Sequence, residues 1–319
     1  MRFLLPLALC GAVFAQQPAV TGILNYPHAV KDLDTTVAFY KDVFGLELSR
    51  PAGDFPNTTI QQLLNAPGIT LRLAMFRMPG NKYVLELTHF SHVDRTPGQA
   101  AVTDPGSADL ELHVRDLDAV WEKIKKSGAP VITRSGHPVK VGADVRSVLI
   151  RDPDGYVLEV MNAPPVTGAP EGVVHGTTMG VCVNNLDDTR KFYHDMLGFD
   201  VPASPQFAND KAISDLVGAP DSAQYREVAT KVPGTESRLN LYEWKGLPRK
   251  PFHLRVYDPG APALVLRVND LEGMLKRMKA IGTPVFSKDG AIVQFTPTTR
   301  NIFVTDPNGV NLELYESKQ

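Results

Sequence analysis

The chain has 319 residues, of which 43% are hydrophobic and 21% are charged, and its formal net charge is -2. This length suits two domains of ordinary size, each with its own core. The near-neutral balance, without a dense Lys/Arg patch, excludes the electrostatic attraction on which nucleic-acid binding depends.

The first 15 residues have the pattern of a secretory signal peptide. Arg2 precedes an apolar run from Phe3 to Phe14, and Ala15 follows as a small residue at the expected cleavage site. The run is too short to span a bilayer comfortably, and no later segment is apolar enough to do so. We therefore expect an exported protein, periplasmic or secreted, without a membrane span. Cleavage would leave Cys182 as the single cysteine, which we expect to be a buried, inert thiol.

The first two modules have the same predicted order of strand, helix and strands. Residues 22–90 begin with a strand, followed by a helix from the N-cap Asp32 to a stop at Gly45. Residues 107–161 repeat this order with Asp116 as N-cap and Gly128 as stop. Each helix has apolar residues at a spacing of three and four, so one face is predicted to be buried.

The second half of the chain repeats the first. The stretch VRDLDAVWEKIKKSGAPV (114–131) returns as VNDLEGMLKRMKAIGTPV (268–285), and FYKDVFGLEL (39–48) returns as FYHDMLGFDV (192–201). Self-similarity over such spans indicates a duplicated structural unit. The predicted boundaries are a domain at 20–163, a Pro- and Gly-rich linker at 164–174, and a domain at 175–318 with modules 175–246 and 261–318.

The predicted fold is α+β, with two tandem domains. Each domain would consist of two βαβββ modules that form a curved half-barrel of mixed sheet, with the helices outside. The concave face of such a sheet forms a pocket for a small molecule. Because the paired modules lie in one chain, this architecture does not require a second copy.

Four motifs resemble the vicinal oxygen chelate superfamily, which has the fold of glyoxalases, bleomycin resistance proteins and extradiol dioxygenases. They are the V-x-D-L helix starts (30–33 and 114–117), FYKDVFGLEL, VLELTHF (84–90) and DPDGYVLEV (152–160). The superfamily includes isomerases, lyases, dioxygenases and binding proteins, so the resemblance implies the fold and leaves the reaction open.

The resemblance also implies a set of metal-ligand positions. In metal-dependent members, two ligands precede the helix start by seven residues and two lie in the L-E-L-type strands. These positions in the first domain are Asn25, Glu86, Asp109 and Glu159. The corresponding positions in the second domain are degenerate: Thr178, Asn240, Ala263 and Glu313.

Three carboxylates in one pocket repel one another unless they are protonated, spread apart or neutralised by a cation. Oxygen ligands favour Mg²⁺, Mn²⁺ or Ca²⁺ over zinc or iron. Two readings remain open, a weak oxygen-ligand site and no metal at all, and no organic cofactor is expected. Asp109, Glu111 and His113 alternate along one strand, so Glu111 and His113 should face the same pocket. A bulge at Pro27 would turn His28 inward as well.

The leading functional hypothesis is a metal-assisted lyase or isomerase acting on a small oxygenated substrate, in which Glu86 or Glu159 moves the proton. The alternative is a metal-free protein that binds or sequesters a small molecule. An extradiol-type dioxygenase is a distant third, because the two histidines that hold its iron are missing. That absence, together with export, also disfavours a glutathione-dependent glyoxalase.

Overall fold

The computed structural model describes residue 17 and residues 19–317; the predicted signal peptide lies outside them. The strands are β1 (Val20–Ala29), β2 (Leu48–Phe55), β3 (Thr70–Arg77), β4 (Val84–Ser91), β5 (Ala108–Val114), β6 (Val139–Lys140), β7 (Arg146–Arg151), β8 (Val157–Met161), β9 (Val174–Cys182), β10 (Gln224–Lys231), β11 (Arg238–Lys245), β12 (Ala263–Val268), β13 (Val293–Gln294), β14 (Thr299–Thr305) and β15 (Asn311–Ser317). The helices are α1 (Leu33–Phe44), α2 (Ile60–Leu63), α3 (Leu117–Ser127), α4 (Leu186–Leu197), α5 (Lys211–Leu216) and α6 (Leu271–Ala280), with a short 3-10 turn at Lys288–Gly290.

The helix ends follow the predicted capping chemistry. The Asp32 side chain accepts a hydrogen bond from the backbone N–H of Thr35 at the start of α1, and Asp116 accepts from Ala119 at the start of α3. Gly45 and Gly128 end these helices in the left-handed conformation, which glycine adopts without a steric penalty.

The strands form two mixed sheets that each join two modules. The eight-stranded sheet has the order β13-β14-β15-β12-β1-β4-β3-β2, and the seven-stranded sheet has the order β10-β11-β9-β5-β8-β7-β6. The α+β fold of repeated βαβββ modules with curved mixed sheets is confirmed.

The sheets combine different modules from those expected. The first module shares a sheet with the fourth, because β1 pairs antiparallel with β12, and the second shares a sheet with the third, because β5 pairs antiparallel with β9. Each module presents the edge of its first strand, and these edges are alike in all four modules. Periodicity alone therefore could not decide which edges pair.

The largest hydrophobic core contains side chains from both sheets and from α1, α3, α4 and α6. Leu110 and Leu112 point into it from β5, so alternation turns Asp109 and Glu111 toward the opposite face. Trp121 packs against this core partly buried. Cys182 is fully buried, as predicted. Among the described residues, no helix has the length and apolarity that crossing a membrane requires.

Candidate active site

The four positions carried over from the superfamily do not form one site. Asn25 and Glu86 lie on β1 and β4 of the eight-stranded sheet, whereas Asp109 and Glu159 lie on β5 and β8 of the seven-stranded sheet. The predicted set Asn25, Glu86, Asp109 and Glu159 was therefore wrong as a single centre. Because modules pair across the two halves, the positions predicted as degenerate are divided between the two sheets. Thr178 and Asn240 lie in the sheet of Asp109 and Glu159, and Ala263 and Glu313 lie in the sheet of Asn25 and Glu86.

A cluster of three carboxylates lies on the concave face of the seven-stranded sheet. Asp109, Glu111 and Glu159 each offer an oxygen within 4.8 Å of the others. Glu111 and Glu159 stand opposite each other in the register of the parallel strands β5 and β8, and Asp109 is two residues before Glu111. We call the cavity that these three carboxylates line the acidic pocket. Glu111, predicted only as a residue of the pocket, is thus part of the cluster itself.

The acidic pocket has a volume of about 200 Å³ and is built by the second and third modules. Its walls are mostly apolar, and its lining residues are Val102, Val141, Leu149, Met161, Ile213, Leu216, Val217, Tyr225, Glu227, Asn240, Tyr242 and Trp244 beside the three carboxylates. A concave apolar site with a few converging polar groups is the usual form of a small-molecule site.

Each carboxylate of the cluster accepts one hydrogen bond from a neutral side chain. The Tyr242 hydroxyl donates to Asp109, the Asn240 amide donates to Glu111 Oε1 over 2.6 Å, and the Ser147 hydroxyl donates to Glu159 Oε1 over 2.7 Å. These bonds fix the orientation of the three groups and leave further oxygen lone pairs directed at one another.

Burial raises the pKa of all three carboxyls. It raises the pKa of Asp109 to about 6, although the Tyr242 hydrogen bond acts in the opposite direction. Burial, followed by the charge of Asp109, raises the pKa of Glu111 to about 8. Burial and then the charge of Glu111 raise the pKa of Glu159 well above its usual value. The site is therefore short of positive charge.

His113 does not supply that charge. In the described part of the chain it is the only basic side chain within 4.0 Å of the cluster, with 3.7 Å between its Nε2 and Glu111 Oε2. Burial lowers the pKa of His113, which favours the neutral ring, and its Nε2 has no hydrogen-bond partner. His113 thus lies beside Glu111, but it is not among the residues that line the pocket, where it was predicted to be, and it makes no hydrogen bond to a carboxylate.

The donor set of the cluster fits a hard divalent cation. Three carboxylates, with amide and hydroxyl groups around them, offer the oxygen ligands that Mg²⁺, Mn²⁺ and Ca²⁺ prefer. Gly180 gives the cluster its space, because a Cβ at this position would lie 2.4 Å from Asp109 Oδ1. Asp109, Glu111 and Glu159 are the residues that would hold the ion.

Sequence reasoning missed Tyr242, Ser147 and Glu227. Tyr242 is two residues from Asn240 on β11, so the alternation that identified Glu111 would also have found it. Glu227 stands opposite Tyr242 in the register of β10 and β11 and lines the pocket at its exposed mouth. Although its side chain reaches solvent, partial desolvation by the pocket walls, followed by the charge of Asp109, raises the pKa of Glu227. Its strand carried no superfamily motif.

A second group of potential ligands consists of His28, Asp152 and Asp154. Here the carboxylate oxygens are already used: Asp152 accepts from His28, Tyr40 and two backbone N–H groups, and Asp154 accepts from Thr36 and the Lys31 N–H. This group is a saturated hydrogen-bond network. His28 points to Asp152 and not toward the acidic pocket.

The eight-stranded sheet has a smaller concave pocket with only two carboxylates. Asn25 donates to Glu86 Oε2 over 2.5 Å, Thr88 donates to Glu86 Oε1 over 2.9 Å, and Asn301 donates to Glu313. Glu111 lies five residues before the N-cap Asp116, and the corresponding position before Asp32 is occupied by Pro27. This pocket therefore lacks the third carboxylate. A divalent metal does not fit here, because amide and hydroxyl donors already occupy both oxygens of Glu86.

Residues 23–160 and 174–314 match the model of the Glyoxalase/Bleomycin resistance protein/Dioxygenase superfamily. The chain belongs to this superfamily. It is 29% identical over 199 residues to a lactoylglutathione lyase of Oryza sativa subsp. japonica, covering 62% of this chain and 61% of that protein. It is 30% identical over 162 residues to a 2-epi-5-epi-valiolone epimerase of Actinomyces sp, covering 48% of this chain and 84% of that protein.

The solved structure of glyoxalase I from Zea mays has the same fold. Its TM-score is 0.60 at 21% identity, and the match covers 94% of this superfamily member and 92% of the maize chain. The chain spans less than two thirds of the length of the rice lyase.

Proposed function

We propose that this protein is a divalent-metal-assisted lyase, isomerase or epimerase that acts on a small oxygenated substrate in the acidic pocket. The observation that carries the proposal is the convergence of Asp109, Glu111 and Glu159 in a pocket with no paired positive charge among the described residues. The lyase and epimerase names of two relatives support this reaction class. A bound divalent ion supplies Lewis-acid polarisation of substrate oxygens.

The residues around the cluster have separate roles in excluding water, positioning the carboxylates and transferring the proton. The apolar walls exclude water from the substrate, and Tyr242, Asn240 and Ser147 keep the three carboxylates in place. Glu86, predicted as a proton-moving base, lies in the other sheet and has no part in this site. Glu159, the other predicted base, belongs to the cluster. Glu227 lines the same pocket outside the cluster, so we assign it the proton transfer.

Metal binding by the chelator-treated full chain tests the proposed metal site. We expect one Mn²⁺ per chain by elemental analysis and calorimetry, and its loss in Glu111→Gln and Glu159→Gln. The control is Glu122→Gln, because the Glu122 side chain is 63% exposed on α3. A chain that takes up no stoichiometric Mn²⁺ or Mg²⁺, or variants that bind as the wild type does, would contradict the proposal. In that case the pocket would act as a metal-free binding site with shared protons.

Proton exchange at a carbon next to a carbonyl group tests the chemistry with a panel of probe molecules. The Mn²⁺-loaded chain is incubated in D₂O with several small α-hydroxy ketones and with the hemithioacetal of glutathione, and loss of the α-proton is followed by NMR. We expect at least one panel member to exchange. Glu227→Gln should abolish this exchange while keeping one Mn²⁺ per chain. Retention of full exchange in Glu227→Gln would remove the role assigned to this residue.

A further inference from the structure

The acidic pocket has negative groups in its interior and at its mouth, and its lining offers no positive ones. Asp109, Glu111 and Glu159 converge in the interior, and Glu227 lies at the mouth. None of the described residues that line the pocket is a lysine, an arginine or a histidine. Four carboxylates carry more charge than one divalent ion neutralises, so the lining stays negative with the ion in place. An anionic ligand meets like charge here, which disfavours its binding.

The volume of the pocket limits the ligand to one small ring or a chain of similar size. The volume is about 200 Å³, whereas pockets for drug-sized molecules measure roughly 300–1,000 Å³. A cavity of about 150 Å³ holds one benzene molecule. Ile213 and Leu216 of α5 and the following Val217 contribute apolar lining. A six-membered ring with a few oxygen substituents therefore fits, and a peptide conjugate such as a glutathione adduct does not.

One hydrogen-bond donor in the lining has no partner. Trp244 lines the pocket and is 2% exposed, and its Nε1 lacks a hydrogen-bond partner in the described part of the chain. Among the described lining residues, it alone has a buried side-chain polar atom in this state. A buried indole N–H ordinarily donates to an acceptor, and leaving it without one is costly. A ligand oxygen beside Trp244 would supply that acceptor.

The strand β11 places this donor at a distance from the carboxylates. Tyr242 and Trp244 are two residues apart on β11 and therefore share one face. The Tyr242 hydroxyl donates to Asp109, whereas Trp244 lies about 7 Å farther along the strand. Tyr225 stands opposite Trp244 on β10, with 5.3 Å between the ring centroids. The pocket thus has a carboxylate end and an aromatic end with a free donor, separated by about the span of a substituted six-membered ring.

We propose that the acidic pocket selects an uncharged polyhydroxy or hydroxycarbonyl compound about the size of one six-membered ring. Its oxygen substituents lie at the carboxylate end, and a further oxygen accepts a hydrogen bond from Trp244 Nε1. This inference rests on the proposed function and narrows its substrate class. Trp244 is then a specificity-determining residue, and anionic analogues of the same ring are excluded by charge.

Three cyclohexane derivatives test the charge and the donor separately. 3,4-Dihydroxycyclohexane-1-carboxamide is uncharged, the corresponding carboxylate has a similar shape and one negative charge, and cyclohexane-1,2-diol lacks the distal oxygen. Calorimetry on the full chain with saturating Mg²⁺ at pH 7.5 measures their affinities. The carboxamide should bind about tenfold more tightly than the carboxylate and about fivefold more tightly than the diol. Glu227→Gln removes one negative charge and should reduce the ratio between carboxamide and carboxylate.

Trp244→Phe isolates the donor, because it keeps an aromatic ring and removes the N–H. It should lower the affinity for the carboxamide about fivefold and leave that for the diol unchanged. Trp121→Phe is the matched control, because Trp121 packs against the core from α3 and does not line the pocket. The chain has two tryptophans, so the emission of Trp121→Phe reports Trp244 alone, and the carboxamide should shift it. Thermal unfolding verifies that both variants fold.

Each part of the proposal can be overturned. Binding of the carboxylate as tight as that of the carboxamide would refute selection by charge. Unchanged carboxamide affinity in Trp244→Phe, or an equal loss for carboxamide and diol, would refute the contact with Nε1. No binding of any of the three compounds would refute the whole inference. Mg²⁺ stoichiometry tests the proposed function separately, because a chain that binds no Mg²⁺ but ranks the compounds in this order refutes the metal and supports the selection.

Discussion

His28 Nε2 lies 2.7 Å from Asp152 Oδ2, and neither side chain is exposed to solvent. The contact joins β1 of the eight-stranded sheet to the turn that connects β7 and β8 of the seven-stranded sheet. His28 stands four residues before the N-cap of its helix, and the corresponding positions in the other modules are Leu112, Val181 and Leu266. One of four equivalent core positions has thus become an ionic link between the sheets.

His28→Leu should destabilise the protein by about 3 kcal/mol, because it leaves a buried carboxylate without its basic partner. The double variant with Asp152→Asn should lose less than the sum of the single changes, as expected for residues in contact. Urea unfolding measures the free energy of unfolding of the two single variants and of the double variant. His194→Leu is the control, since the His194 side chain is 71% exposed and its pair with Asp195 should contribute little.

The same pair should make stability depend on pH. Burial alone disfavours the charged ring, but the attraction and hydrogen bond of Asp152, with the charge of Asp154, raise the pKa of His28 overall. A raised folded-state pKa stabilises the fold fully below the unfolded value of about 6.5, and this stabilisation is lost as the pH rises through the folded value. The stability difference between wild type and His28→Leu should therefore be larger at pH 6 than at pH 9. A difference that grows with pH would contradict this reading.

Gly180→Ala should damage the acidic pocket through a single methyl group. The added Cβ would lie 2.4 Å from one oxygen of Asp109 and 2.7 Å from the other, so the carboxylate must move. We expect at least a tenfold loss of Mn²⁺ affinity and a destabilisation of about 1–3 kcal/mol. Gly53→Ala is the matched control in a strand, because its nearest neighbour would be 4.0 Å away. Unchanged Mn²⁺ binding by Gly180→Ala would show that Asp109 is not a ligand.

Tyr242→Phe should shift the pH dependence of metal binding upward. The Tyr242 hydroxyl donates to Asp109 and lowers its pKa, which is about 6 with that bond in place. Without it, protons compete more strongly for Asp109, and half-maximal Mn²⁺ binding should need a pH about one unit higher. Calorimetric titrations at several pH values measure the shift, and the affinities of wild type and variant should converge in alkaline buffer. A downward shift would count against this role of Tyr242.

Glu313→Gln should stabilise the protein in alkaline solution only. Burial, opposed by the Asn301 hydrogen bond and assisted by the charge of Glu86, raises the pKa of Glu313 to about 7. An acid whose folded-state pKa exceeds its unfolded value of about 4.3 costs stability as the pH rises between the two. The variant should therefore gain on the order of 2 kcal/mol at pH 8.5 and little at pH 4.5, relative to wild type. Glu122→Gln should show no such trend.

We also propose that the chain is exported with removal of residues 1–15. Expression of the full sequence in a secreting host should yield a mature protein that begins at Gln16, as measured by intact mass and N-terminal sequencing. Replacing Leu4 and Leu5 by Asp would interrupt the apolar run and should retain the chain in the cytoplasm. An uncleaved wild-type protein in the cytoplasm would refute the proposal.

The sequence predicted the local structure well, because local structure is specified locally. Asp32 and Gly45 delimit α1 through hydrogen bonds and backbone angles that involve only their neighbours. The pairing of modules was not predictable in this way. The pairing of modules depends on which two first strands lie side by side. The four first strands, β1, β5, β9 and β12, have similar edges because they belong to a duplicated unit. The expected metal centre failed for this reason, although Glu86, Asp109 and Glu159 each line a concave pocket.

The sequence predicted the three carboxylates of the acidic pocket but not all of the residues around them. Asp109 and Glu159 were identified by position, and Glu111 by alternation along β5. Tyr242 was missed because its role needs the third module to lie beside the second, which is a contact across 133 positions of the chain. Alternation from Asn240 would have placed Tyr242 on the same face of β11, but its contact with Asp109 is visible only in the tertiary structure.

The exchange of modules between the sheets makes each pocket a joint property of both repeats. The acidic pocket takes Glu159 from the first repeat and Asn240 from the second, while the other pocket takes Glu86 from the first and Glu313 from the second. Cutting the chain at 164–174 would give two fragments that each hold only part of the lining of both pockets and expose unpaired strand edges. Loss or replacement of either repeat would therefore remove part of the lining of both pockets.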